Sequence, residues 1–277
     1  MALSCENITS RQNALVVETH KLADRKHRKS LGLFRFDGVK LAAEAISRGV
    51  FLTAILLRQS NAEAVAERIV SLSGAPLPDT ARCVTVADHV FDSLSEEAAP
   101  EGVICVARMQ NAIHTTWQSG EDLPPIDEHI LLLESVRDPS NLGAIIRGAA
   151  ALGVDRLILS ADCADIYSAK TVRASMGTLF SQRIERTDAM VQTIEALQAG
   201  GRRVFAAALD DSARRLGDFD VCPGDCAVIG NEGHGLSAAV IAACNEKVYI
   251  PMTDRAESLN AAVAAALLMW EFGRRTR

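Results

Sequence analysis

Long apolar runs, targeting features and paired cysteines are all scarce in this 277-residue chain. Its longest uninterrupted apolar stretch, Ala261–Trp270, falls short of the roughly 20 residues that cross a bilayer, so no membrane partner is expected. The opening residues MALSCENITSRQN contain no apolar h-region, so no signal peptide is expected. The seven cysteines are an odd number, and the nearest pair, Cys222 and Cys226, has C-x-x-x-C spacing with no second ligand pair close by. A zinc site and a disulfide framework are therefore not expected; reduced thiols in a cytoplasmic protein are. The chain has no G-x-x-x-x-G-K-[ST], which disfavours a P-loop NTPase, and no internal repeat.

Positive charge is also in deficit, with 29 Lys and Arg against 35 Asp and Glu, a net charge of −6. The distribution is uneven. Residues 1–48 hold nine basic and five acidic side chains, a balance of +4 that leaves −10 for the remainder. The densest part is RKHRK, Arg25–Lys29. Such a run is either a solvated helix end or an edge that contacts phosphates.

At this length two domains are expected, each with its own core. Helix-like segments (Ile8–Leu22, Val39–Ser47, Ala62–Leu72, Asp88–Leu94) alternate with strand-like ones (32–36, 51–57, 82–87, 102–108), which predicts an α/β domain over residues 1–109. Residues 110–127 lack either period and contain Pro-Pro, and read as a linker. A second α/β alternation follows over 128–277. Its strands are HILLLE (129–134), RLILS (156–160), RRVFAAAL (202–209), CAVIG (226–230) and KVYIP (247–251). Its helices fall near Leu142–Leu152, Ala169–Met176, Ala189–Ala199, Ser237–Ala243 and Asn260–Phe272. Near-continuous apolar strands such as HILLLE belong in a parallel sheet covered on both faces.

Ligands of open parallel sheets gather beyond the C-terminal ends of the strands. In the second alternation those ends deliver SVRDPSNLGAIIR, DDSA, NEGHGLS and MTDRAESLN, all polar or glycine-rich. Taken singly, each has a plain account. Asn141 can cap a helix with Arg147 solvated, Ser258 or Asn260 can cap the terminal helix, and Glu232 can be a turn residue. His234 has no nucleophile or carboxylate placed by sequence to work with it. Gly230–Gly235 reads G-x-x-G-x-G, not the dinucleotide fingerprint, and lies far from the first strand. That the plain accounts must hold independently at three strand ends weakens them.

Together the three segments resemble the motifs of the SpoU/TrmH family, in the SPOUT class of S-adenosylmethionine-dependent RNA methyltransferases. RDPSNLGAIIRGAAALGV (137–154) matches the first motif, VIGNEGHGLS (228–237) the second and YIPMTDRAESLNAAVAAAL (249–267) the third. The first hundred residues resemble the ribosomal-protein-like α/β domain with which many ribose 2′-O-methyltransferases of this family bind substrate RNA. Asp254, Gly148 and Ala262 stand where the family often has Gly, Thr or Ser, and Ser.

The resemblance implies a C-terminal SPOUT domain with a deep trefoil knot, which pattern alone does not suggest because knots are rare. It implies S-adenosylmethionine as cofactor, bound mainly by backbone at Gly230, Ile250 and Leu259, with Leu209 in the preceding loop a further candidate. It implies catalysis at a ribose 2′-OH by Asn141, Arg147, Glu232, Ser258 and Asn260, without a metal. It further implies a homodimer formed through the knot region, in which both subunits can build one site. The expected substrate is RNA, rRNA in preference to tRNA. Two rival readings stand beside this one. One is another nucleotide-using α/β enzyme, disfavoured by the missing early glycine fingerprint. The other is a non-catalytic RNA-binding or assembly protein, disfavoured by the intact residue set.

Overall fold

The computed structural model describes residues 6–97, 99–109, 113–114, 123–231 and 233–273. The chain begins β1 (Glu6–Ile8), α1 (Ala14–Lys21), α2 (Arg25–Leu31), β2 (Leu33–Asp37) and α3 (Val39–Ser47). It continues through β3 (Leu52–Arg58), α4 (Ala62–Ser73), β4 (Arg82–Val86), α5 (Asp88–Leu94), β5 (Val103–Arg108) and the short β6 (Ile113–His114). Next come β7 (Ile130–Leu133), α6 (Pro139–Leu152), β8 (Arg156–Ser160), α7 (Ala169–Ala174), β9 (Arg183–Thr187) and α8 (Met190–Ala199). The last elements are β10 (Val204–Ala207), β11 (Arg214–Arg215), β12 (Cys226–Ile229), α9 (Ala238–Ala243), β13 (Glu246–Tyr249) and α10 (Ala261–Gly273). None of the helices is long and apolar enough to cross a membrane, among the described residues.

These elements form two compact units, Met1–Gln110 with Asp165–Ser181, and Asn111–Ala164 with Gln182–Arg277. The first is a five-stranded sheet in the order β1-β4-β3-β5-β2, with β5 antiparallel to both neighbours. Its core joins Leu56, Val84, Phe91 and Ile104, all nearly inaccessible to water. The segment Asp165–Ser181, which periodicity assigns to the second alternation, packs here. Tyr167 lies 4.6 Å, centroid to centroid, from Phe34, and Phe180 lies 5.2 Å from Phe36. Gly177 (φ 88°) lies so close to Glu44 that an added Cβ would stand 2.6 Å from its Cγ.

The second unit is an eight-stranded sheet, β11-β13-β10-β12-β7-β8-β9-β6, in which every pairing is parallel. Successive strand residues face opposite layers. Ile130, Leu132, Val204, Ala206 and Val228 pack with residues of α8 and α9. Phe205, pointing the other way, meets Phe272 of α10 edge-on at 5.4 Å. Both layers are dry, so the central strands β7 and β12 are buried at every position, as expected of a parallel sheet.

Three sequence expectations change. Ile8–Leu22 is not one helix. Glu6–Ile8 pairs with the edge of β4, and Asn13 then starts α1 by accepting a hydrogen bond from the Leu15 N–H at 2.9 Å. Asn141 is not a helix cap. Asp138 caps α6 by accepting from the Ser140 and Asn141 amides at 2.8 and 2.9 Å, with Pro139 at the first helical position. And β9 (RIERT) is a strand that the hydrophobic pattern missed. Most of the expected linker, 110–112 and 115–122, lies outside the described residues.

Candidate active site

The polar strand ends of the second unit are tied to one another by side chains. At the end of β7, Ser135 adopts φ 58°, a left-handed conformation that is uncommon away from glycine. Its amide donates to Ser160 Oγ at 2.9 Å, and its hydroxyl donates to Asp162 Oδ2 at 2.6 Å. Asp162 also accepts from Ser160 Oγ at 2.6 Å and Arg137 at 2.9 Å. Burial raises the Asp162 carboxyl, but the hydrogen bonds from Ser135, Ser160 and Arg137 outweigh it and hold it down at about 2. The clamp is therefore ionised at neutral pH. It fixes the turn that leads from β7 into α6.

The glycine-rich loop after β12 is fastened to that same turn. Glu134 accepts from the Ser237 amide at 2.8 Å and its hydroxyl at 2.7 Å, which also anchors the N-cap of α9. Asn231 donates to the Ser135 carbonyl at 2.9 Å and accepts from the Gly233 amide at 2.8 Å. The loop closes on itself where Asn231 and Gly235 exchange backbone hydrogen bonds of 3.1 and 2.8 Å. Gly230 is buried in this closure. A Cβ there would lie 2.2 Å from the Gly235 carbonyl carbon and 2.4 Å from the Leu236 nitrogen, so only glycine fits. Glu232 lies outside the described residues.

The third motif joins the first through Asn260. Its Oδ1 accepts from the Ala262 and Val263 amides at 2.9 and 3.3 Å, capping α10, and its Nδ2 donates to Asn141 Oδ1 at 2.9 Å. Asn260 is thus both a helix cap and a bridge between motifs. Behind this bridge α10 packs along α6. Gly148, which departs from the family pattern, makes room for Met269, whose Cε would lie 3.0 Å from a Cβ at that position. Ile250 and Leu259 are half-buried at either end of the loop, whereas Ser258 and Asp254 are exposed.

Leu209 sits in the loop after β10 with its side chain 64% exposed. The loop is pinned by Asp210, which accepts from Lys247 Nζ at 2.8 Å and from the Ser212 amide at 2.9 Å. The Lys247 and Ser212 bonds hold the Asp210 carboxyl well below the usual range. Arg147 stands apart from these contacts. It is exposed on α6, and among the described residues no hydrogen bond or ion pair holds its guanidinium.

Sequence reasoning missed the surface beside the clamp. A cleft of about 440 Å³ opens over the ends of β7, β8 and β9, with Glu134, Asp162, Asp188 and Ser237 among its walls. Its rim is acidic and unsuited to phosphate. It could not be found without β9, whose charged pattern hid the strand.

Residues 128–270 match the family model described as SpoU rRNA Methylase family, and residues 13–105 match the MRM3-like substrate binding domain. The chain is 29% identical over 265 residues to the 23S rRNA (guanosine(2553)-2′-O)-methyltransferase RlmP of Bacillus subtilis, covering 96% of this chain and 98% of that one. It is 31% identical over 279 residues to the 23S rRNA (uridine(2479)-2′-O)-methyltransferase of Streptomyces viridochromogenes, covering 97% and 92%. Among solved structures, the AdoMet-bound rRNA methyltransferase of Sinorhizobium meliloti superposes with a TM-score of 0.77 at 28% identity, covering 98% of both chains. The first of these matches spans the loops that the hydrogen bonds draw together, the full-length relatives span both units, and the chain belongs to the SpoU rRNA methylase family.

Proposed function

We propose that this protein is an S-adenosylmethionine-dependent methyltransferase acting on a ribose 2′-OH of large-subunit rRNA. The observation that carries this reading is the joining of three polar strand ends by Asn141–Asn260, Asn231–Ser135 and Glu134–Ser237, in a chain whose full-length relatives carry 23S rRNA 2′-O-methyltransferase names.

The residues present suit the cofactor. Where Gly230 and Gly235 press together, two stretches of backbone close on each other with no room for a side chain at Gly230, a shape that suits recognition of a nucleoside by backbone groups. Backbone groups at Gly230, Ile250 and Leu259 would hold it, with the pinned Leu209 loop alongside. When bound, the cofactor supplies an electrophilic methyl group on a sulfonium.

The chain's own work is alignment and charge. Methyl transfer needs the 2′-oxygen in line and its negative charge stabilised as it develops. A guanidinium is a poor proton acceptor in any protein, so Arg147 acts as hydrogen-bond donor and electrostatic stabiliser, not as base, and the 2′-OH proton leaves to an adjacent RNA phosphate as the methyl group moves from sulfur to oxygen. Asn141 and Asn260, already locked together, orient the ribose with Ser258 and Glu232.

The site takes groups from two subunits in this reading. Asn141 and Arg147 are six residues apart, about 120° around α6 at roughly 100° per residue. With Asn141 turned toward its own Asn260, Arg147 is directed elsewhere, as a group donated to a partner's site would be. The homodimer is supported by α10. Val263, Leu267 and Trp270 are exposed at helical spacing and form one apolar stripe, with Trp270 57% exposed. Trp270→Glu should convert the dimer to a monomer by light scattering and reduce transfer at least tenfold; an unchanged mass would refute this interface. The trefoil threading is supported by β13, which enters between β10 and β11, so that the stretch joining β10 to β12 passes around it.

The test is direct. Purified protein with methyl-labelled cofactor should mark protein-free 23S rRNA, and mass spectrometry should recover one 2′-O-methyl nucleoside. Label confined to tRNA would overturn the rRNA assignment, and no transfer to any RNA would favour the assembly-protein reading.

A further inference from the structure

The run Arg25–Lys29 is neither wholly solvated nor wholly free to bind. Arg28 is only 5% exposed. It donates to the Leu22 and Ala23 carbonyls, both at 2.7 Å, and pairs with Asp165 at 2.6 Å. Arg25 approaches the same carboxylate at 3.9 Å. This buried anchor ties α2 to the end of α1 and sets which way α2 faces. At roughly 100° per residue, Lys26 and Lys29 lie about 160° and 100° from Arg28 around the helix, and both are exposed.

The other cations of the first unit are treated differently. Arg35, Arg48, Arg58, Arg68 and Arg82 each have a carboxylate within 4 Å, from Glu96, Glu44, Asp92, Glu101 and Glu6 respectively. Lys21, Lys26 and Lys29 have none among the described residues, and Arg11 bonds only the His89 carbonyl at 3.0 Å. Between residues 6 and 109 the further cations without such a partner are Lys40 and Arg108, and Arg108 stacks on Phe51 at 4.4 Å. Of the two acids in the α1–α2 stretch, Asp24 is occupied in capping α2 through the His27 amide at 2.9 Å, leaving Glu18. Beside this edge an open groove of about 320 Å³ runs between α1 and α5. Val17, His20 and Leu94 line it, and Arg11 and Lys21 add cationic walls.

We propose that this edge, Arg11, Lys21, Lys26 and Lys29 with the α1–α5 groove, is the surface that grips the sugar–phosphate backbone of the substrate RNA; the inference rests on the RNA methyltransferase reading. Cations without acid partners are available to phosphates, and each phosphate neutralised releases counterions, which makes binding salt-dependent. The apolar groove wall suits ribose or an unstacked base. The acidic cleft of the second unit offers no such surface.

The experiment uses the full chain and protein-free 23S rRNA as probe. Affinity is measured from about 0.1 to 1 M salt for the wild type, for Lys21→Ala/Lys26→Ala/Lys29→Ala, and for the same three positions changed to Arg. With a slope of about 0.7 per phosphate on single strands, the alanine variant should lose about 2 from the log–log salt slope. It should bind about 100-fold more weakly at 0.1 M salt and converge with the wild type near 1 M. The arginine variant should keep the wild-type slope, and cofactor affinity should be unchanged in all three proteins. An alanine variant with the wild-type slope overturns the surface while the methyltransferase reading stands. A wild type that binds 23S rRNA without any salt dependence, or transfers no methyl group to it, overturns the underlying reading instead.

Discussion

Arg147→Ala is expected to cut single-turnover methyl transfer to 23S rRNA by about 10³-fold, while the cofactor Kd stays within about twofold of the wild type. The size follows from what the side chain would do. Loss of one preorganised donor to a developing oxyanion costs about 10² to 10³ in rate, and here the donor also carries the charge. The neutrality toward the cofactor follows from position. Arg147 projects from α6, whereas the backbone expected to hold the cofactor lies in the loops after β12 and β13. Because Arg147 has no hydrogen-bond or ion-pair partner among the described residues, its removal breaks no polar contact within the chain and should change stability by less than about 0.5 kcal/mol. Arg147→Lys keeps the charge but loses the planar fork, and should fall between the two. Turnover within tenfold of wild type in the alanine variant would remove Arg147 from the chemistry.

The second large effect is expected at Gly230. A methyl group there would collide with Gly235 and Leu236 backbone atoms at 2.2 to 2.4 Å, and backbone cannot rotate away as a side chain can. The loop must open, and with it the surface offered to the cofactor. Overpacking of this kind costs about 1–3 kcal/mol, so Gly230→Ala should weaken cofactor binding by up to about 100-fold. The control is close by. At Gly233 an added Cβ meets nothing nearer than Asn231 Oδ1 at 3.4 Å, and Gly233→Ala should bind within about twofold of wild type. Equal affinities for the two variants in calorimetry would show that the tight closure does not shape the cofactor site.

Most of the α/β framework was legible because its signals are local. Val39–Ser47 and Asp88–Leu94 have the same bounds in sequence pattern and structure, since helical periodicity carries both. The strand β9 was not legible. Arg183, Glu185 and Arg186 make it look like a solvated turn, yet Glu185 and Arg186 are buried. Glu185 is paired with the equally buried Arg156, which also holds Glu128 at 2.7 Å. Arg186 donates to the Ala161 and Ala164 carbonyls. A charge buried with its partners has the same letter as a charge in water, and only the partners distinguish them. RKHRK hid Arg28 in the same way.

The sequence by itself determined most of the helices and strands and the three polar loops that identify the family, because propensity, periodicity and turn chemistry act over a few residues. It could not decide that Asp165–Ser181 packs with the N-terminal unit, nor that Asn260 caps one helix and holds Asn141 of another. Nor could it tell Arg28, enclosed, from Lys26 and Lys29, which face solvent. Those outcomes were decided by the tertiary structure, because each depends on groups remote in the chain arriving at hydrogen-bonding distance, where burial and partner together set whether a polar side chain supports the fold or is left free for a ligand.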